Sequence, residues 1–146
     1  MLDLHPSFWA ALFGWLFAQL IKMITCLINS KKLDFSYLVS TGGMPSAHTS
    51  MTCSLATSIG LINGFNSISF SIAIAFASVV MFDAQSVRKS AGEQAKLLNQ
   101  IVDELLTEHN LSEKKLKELL GHTRLEVLGG VICGILSAYV IVHLLY

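Results

Sequence analysis

The sequence predicts an all-α integral membrane bundle of about four spans, with a polar helical insert at about 84–124 between spans three and four. Three observations support this fold class. Mean hydropathy is +0.60. Only 14% of the residues are charged, where soluble domains carry about 25%. Apolar stretches recur at 8–29, 46–62, 66–82 and 127–146, and about 20 apolar residues cross a bilayer. The chain length, 146 residues, suits a single membrane-embedded domain over 1–146.

The first stretch carries Phe8, Trp9, Phe13, Trp15 and Phe17. Phe8 and Trp9 stand at its outer end, where amphipathic rings favour the membrane–water boundary. Only Asp3 is charged before it, so it reads as a retained span rather than a cleaved signal. The second and third stretches are joined by Asn63-Gly64-Phe65, a hairpin with turn chemistry. Both are short, which implies local thinning of the bilayer. In the insert, Leu97, Leu98, Ile101, Val102, Leu105 and Leu106 share a helical face opposite charged residues. Asn110 with Glu113 resembles a capping box for a second short helix, and Gly121 would stop it. The insert therefore reads as a helical hairpin lying on the bilayer or over the bundle mouth. The fourth stretch has no Lys, Arg, Asp or Glu, and its Gly130 and Gly134 suit close packing inside the chain or against a second copy.

Outside the spans, lysines and arginines fall in two places, Lys31 and Lys32 in the first loop and Arg88, Lys89, Lys96, Lys114, Lys115, Lys117 and Arg124 in the insert. With four spans both lie on one side, which the positive-inside rule makes cytoplasmic, leaving both termini outside. Net charge is zero, so nothing points to nucleic acid as a partner. Cys26, Cys53 and Cys133 stand singly in apolar segments and read as small buried hydrophobes.

Four polar groups converge on that side. Gly42-Gly43-Met44-Pro45-Ser46-Ala47-His48 is a glycine-rich turn opening into an apolar run. With Pro45 in the first helical turn, the N–H groups of Ser46, Ala47 and His48 would lie free for an anion, and Gly43 would let backbone approach it. Gln19 and Lys22 share a helix face near the inner end of span one, and an intramembrane lysine usually has a partner or a function. Asp83 and Arg88 stand at the exit of span three, the arginine offering a fork that matches phosphate oxygens. In His122-Thr123-Arg124-Leu125-Glu126 the histidine and the glutamate lie four apart, so the carboxylate can orient the imidazole and stabilise its cationic form. His5 and His143 read as interfacial and His109 as exposed.

Pro45-Ser46-Ala47-His48 resembles the Pro-Ser-Gly-His motif of the type-2 phosphatidic acid phosphatase and vanadium haloperoxidase superfamily. The wider set of Gly43 to His48, Asp83-Ala84 with Val87-Arg88, Gly92 with Gln94-Ala95, and Gly121-His122-Thr123 with Glu126-Val127 is similar to that superfamily's divergent branch. The resemblance implies His122 as nucleophile, Glu126 as its orienting partner and His48 as general acid. Lys22, Arg88, Gly43, Ser46 and Ala47 would hold the phosphoryl oxygens, with Gln19, Asp83 and Thr123 in support. It implies no cofactor and no metal. The sequence departs from the pattern in four places: Ala47 replaces a glycine, Glu126 replaces an aspartate, Lys115-Leu116 stands where a Ser-Arg pair is usual, and no Arg-Pro pair follows Lys22.

The expected function is a lipid-phosphate phosphatase at the cytoplasmic face of a bacterial plasma membrane, acting through a phosphohistidine, with phosphatidylglycerophosphate as one substrate. Its partners would be the bilayer and a membrane lipid phosphate. The broken Ser-Arg motif keeps a second reading open, a non-catalytic phosphate- or phospholipid-binding protein in transport or scaffolding. A metal enzyme using Asp83, Glu93 and His122 is disfavoured, because these residues lack ligand spacing.

Overall fold

The computed structural model describes residues 4–30, 43–106 and 122–145, with backbone alone at 29–30, 87–89 and 103–106. Its elements are α1 (Pro6–Ser30), α2 (Ala47–Asn63), α3 (Ile68–Phe82), a π-helical turn (Asp83–Val87), α4 (Arg88–Leu106) and α5 (Arg124–Leu145). Three helical stretches, Pro6–Ile28, Ile68–Val102 and Arg124–Leu145, are long and apolar enough to cross a membrane. The 17 residues of α2 reach roughly 25 Å at 1.5 Å each, the lower end of what a span needs.

The burial pattern is that of a protein dissolved in lipid. Among the described residues, the largest fully buried side chains are Thr49, Ser46, Ser50, Ser54, Ser58 and Ser137. Phe8, Trp9, Phe13, Ile72, Phe76, Leu128 and Ile132 point outward. Lipid tails give large apolar side chains no reason to turn inward, so small residues take the helix contacts and let the backbones approach.

The helix α2 is the hub, packing on α1, α3 and α5, while α1 also packs on α5. Its contact with α1 is antiparallel. Ser50 Oγ donates to the Gly14 carbonyl at 2.8 Å and Ser54 Oγ to the Ala10 carbonyl at 2.7 Å. Its contact with α5 is parallel. A Cβ on Gly130 would lie 2.6 Å from the Ser46 oxygen, and one on Gly134 2.5 Å from the Ser50 oxygen. This glycine pair is therefore used inside the chain. Replacing Ser54 by alanine removes this second bond to the Ala10 carbonyl and with it one tie between α1 and α2. It should cost about 0.6–2 kcal/mol, read as a lowered unfolding midpoint in detergent.

The turn between α2 and α3 bends at Gly64, with φ +89°, a conformation that suits glycine. Ser67 then caps α3, its Oγ accepting from Phe70 N–H. These directions put the ends of α1 and α3 and the starts of α2 and α5 at one end of the bundle.

Two expectations change. The insert does not begin with a break after span three. The backbone stays helical from Ile68 to Leu106, widened by the π-helical turn. The second half of the expected hairpin, with Asn110, Glu113 and Gly121, lies outside the described residues, as does His109. Pro45 also does not enter the first turn of α2. The helix starts at Ala47 behind an extended N-cap at Ser46, because the Ser46 hydroxyl supplies the cap that the first turn requires.

Candidate active site at the starts of two helices

His122 stands just before α5 and is 5% exposed. Two contacts hold it. Its backbone N–H donates to the Ala84 carbonyl at 3.0 Å, inside the π-helical turn. Its Nδ1 lies 2.8 Å from Glu126 Oε2. A carboxylate only accepts, so Nδ1 carries a proton, and in the neutral ring Nε2 keeps its lone pair. The same Oε2 accepts the Thr123 N–H at 3.1 Å, while Thr123 Oγ1 accepts the Glu126 N–H at 3.3 Å. This reciprocal cap closes the first turn of α5 and aims the glutamate at the imidazole. His122 Nε2 is buried with no hydrogen-bond partner among the described residues. A buried polar atom left unpaired costs about 1–3 kcal/mol and marks a place where a ligand can supply the missing contact. Thr123→Ala should destabilise the fold by roughly 0.5–2 kcal/mol, seen as a lower melting midpoint in detergent.

The start of α2 is tied to the same place, since Ser46 N–H donates to the Glu126 carbonyl at 2.9 Å. This corrects the expectation that the Ser46 N–H is open to an anion. Its hydroxyl is committed as well, to Thr49 N–H and Thr49 Oγ1. The N–H of Ala47 is a first-turn group that an α-helix does not serve from within. Two helix N-termini thus meet at one point, and their dipoles favour an anion there.

Lys22 is 3% exposed and within electrostatic reach of Glu126. Gln19 is buried one turn earlier on the same face. The structure therefore brings His122, Thr123, Glu126, Ser46 and Lys22 to one end of the bundle. His48 is the second residue of α2, half-buried at that end, with its carbonyl accepting from Thr52 Oγ1. Asp83 is half-buried beside Ala84, and its N–H bonds the Val79 and Val80 carbonyls. Gly43 has φ +90° with nothing within 4 Å of an added Cβ. Its glycine is explained by backbone conformation rather than by crowding. Arg88 opens α4, and its side chain lies outside the described residues.

Ala84 was visible in the sequence only as one letter of a motif, and its role as acceptor for His122 was not. A backbone carbonyl leaves no mark on side-chain identity. Among the described residues, no three His, Cys, Asp or Glu side chains form a group able to hold a metal ion.

Residues 4–137 match the divergent PAP2 family. The chain belongs to that family. It is also 41% identical, over 139 residues, to the uncharacterized membrane protein YuiD of Bacillus subtilis (strain 168), with 88% of each chain covered. No solved structure matches it. Membership agrees with the apolar helices in making this a PAP2-related membrane protein, and the family match takes in His48, Ala84, His122 and Glu126 together.

Proposed function

We propose that this divergent PAP2 protein hydrolyses lipid phosphomonoesters at the cytoplasmic face of a bacterial plasma membrane, through a phosphohistidine on His122. The observation that carries the reading is the His122 ring. Its Nδ1–H is held by Glu126 and its Nε2 is buried and unpartnered among the described residues, where two helix N-termini converge. That is the geometry of an oriented nucleophile facing an anion site.

In this scheme the Nε2 lone pair attacks phosphorus and the bond to the lipid alcohol breaks. Protonated His48 gives its proton to the leaving oxygen. Glu126 stabilises the imidazolium-like phosphohistidine. Neutral His48 then takes a proton from water, the hydroxide attacks phosphorus, and the P–N bond breaks to release inorganic phosphate and restore His122. Lys22, Arg88 and the N–H of Ala47 hold the phosphoryl oxygens. Gly43 shapes the turn, and Gln19 and Asp83 support the rim. Cationic side chains and backbone donors supply the charge neutralisation, so the scheme requires no metal.

Lys31 and Lys32 follow α1 in the sequence and Lys89 and Lys96 belong to α4, which follows α3; α1 and α3 both end on the side of the site, which favours the cytoplasmic leaflet. Phosphatidylglycerophosphate is the substrate we name. The purified chain should release inorganic phosphate from it in the presence of a strong chelator, and His48→Ala should slow release by about 10²–10⁴-fold. Release that needs added metal, or that His48→Ala leaves unchanged, refutes the scheme. One observation favours the non-catalytic reading, the Lys115-Leu116 pair in place of Ser-Arg. Binding of phosphate or vanadate without turnover would support it.

A further inference from the structure

We propose that the π-helical turn at Asp83–Val87 is a positioning element for His122, acting through the Ala84 carbonyl; this rests on the reading of His122 as the nucleophile. An α-helix running unbroken from α3 into α4 would pair each carbonyl with the N–H four residues on. A π-turn widens one turn of that ladder, and such turns occur mostly as single-turn insertions in α-helices, frequently at functional sites. Here the widened turn meets the start of α5. Ala84 is 3% exposed and its carbonyl accepts the His122 N–H at 3.0 Å. His122 precedes the capped first turn of α5, so no bond inside that helix serves its N–H.

The ring is then clamped from two directions. Glu126, on α5 itself, sets the proton on Nδ1. Ala84, on a different element, sets where the backbone carrying the ring sits. The first clamp moves with α5, whose start is tied to α2 through the Ser46 N–H, and leaves the ring unfixed against the α3–α4 rod. The second joins His122 to the α3–α4 rod, which packs on α2 through α3. Hence the place of the nucleophile between the α2 N-terminus and the α3–α4 rod depends on the extra residue in the turn. Removing that residue restores the α-helical ladder and turns the Ala84 carbonyl away from α5.

The test uses the full-length chain in detergent and reads His122 directly. Carbethoxylation of each histidine by diethylpyrocarbonate is followed by peptide mass spectrometry in wild type, in a Ser86 deletion that shortens the turn, and in Ala84→Leu, which wedges it off α5 without changing its length. Gln85→Ala serves as a control that keeps both. Releasing the buried Nε2 should raise the His122 modification rate by about tenfold or more in the deletion and in Ala84→Leu, with His5 and His143 unchanged. In the phosphatase assay both variants should lose kcat while keeping KM. An unaltered His122 rate in both variants overturns the proposal. So does a rise shared equally by His5 and His143, because the turn would then support the whole bundle rather than this ring. If the His122 rate responds as expected while His122→Ala retains phosphatase activity, the nucleophile assignment fails and the positioning role stands.

Discussion

His122→Ala should remove at least ~10³-fold of the phosphate release, a barrier increase of about 4 kcal/mol. Among the described residues, the His122 ring combines burial, a fixed Nδ1 and an unpartnered Nε2. The imidazole is 5% exposed, its Nδ1 is fixed on Glu126, and its Nε2 has no other partner among the described residues. Glu126→Gln should be milder, roughly 10–10³-fold. The carboxamide oxygen can still accept from Thr123 N–H and from Nδ1, so the geometry survives. The negative charge that stabilises the phosphorylated ring, and that lies near buried Lys22, does not. The measurement is release of phosphate from a lipid phosphomonoester, with trapping of acid-labile phosphoprotein in wild type. A phosphoprotein that still forms in His122→Ala refutes the nucleophile.

The second large effect is structural. Gly134→Leu should separate α5 from α2 and leave little folded protein. A Cβ at this position already meets the Ser50 oxygen at 2.5 Å and the Cys53 Cβ at 2.8 Å, and both belong to the helix backbone or its stem, where nothing flexible can give way. Gly134→Ala alone should cost about 1–3 kcal/mol, and leucine more. Gly129 makes the internal comparison. A Cβ there meets the Met44 and Pro45 side chains at 3.3 and 3.4 Å, so Gly129→Ala should be far better tolerated. Thermal unfolding and size-exclusion profiles in detergent separate the two. Equal midpoints for the alanine variants would show that α2 and α5 do not pack as described.

Several elements were legible in the residues themselves. The His122–Glu126 partnership follows from a four-residue spacing at the start of one helix, which lets the carboxylate reach back to the ring. The apolar stretches, the Gly64 turn and the use of Gly130 and Gly134 in close packing are likewise local or compositional signals. Other features were not legible. Pro45 suggests a first-turn proline, yet the hydroxyl of Ser46 makes a better cap and the helix starts at Ala47. The polarity rise after Phe82 suggests an end to the span, yet the backbone continues through a π-turn, because polar residues at that depth leave the bilayer without needing to leave the helix.

What the sequence determined by itself is therefore the environment, the family and the chemistry on offer: a lipid-embedded helical chain with two histidines, a lysine and a carboxylate at motif positions. Only the tertiary structure decided how these are joined. The Ser46 N–H donates to the Glu126 carbonyl, the His122 N–H donates to Ala84, and the hydroxyls of Ser50 and Ser54 reach across to α1. The physical reason is that periodicity and spacing are written in side chains, whereas these bonds end on backbone groups that every residue carries. Which carbonyl meets which N–H depends on how whole helices pack, a property no single segment contains.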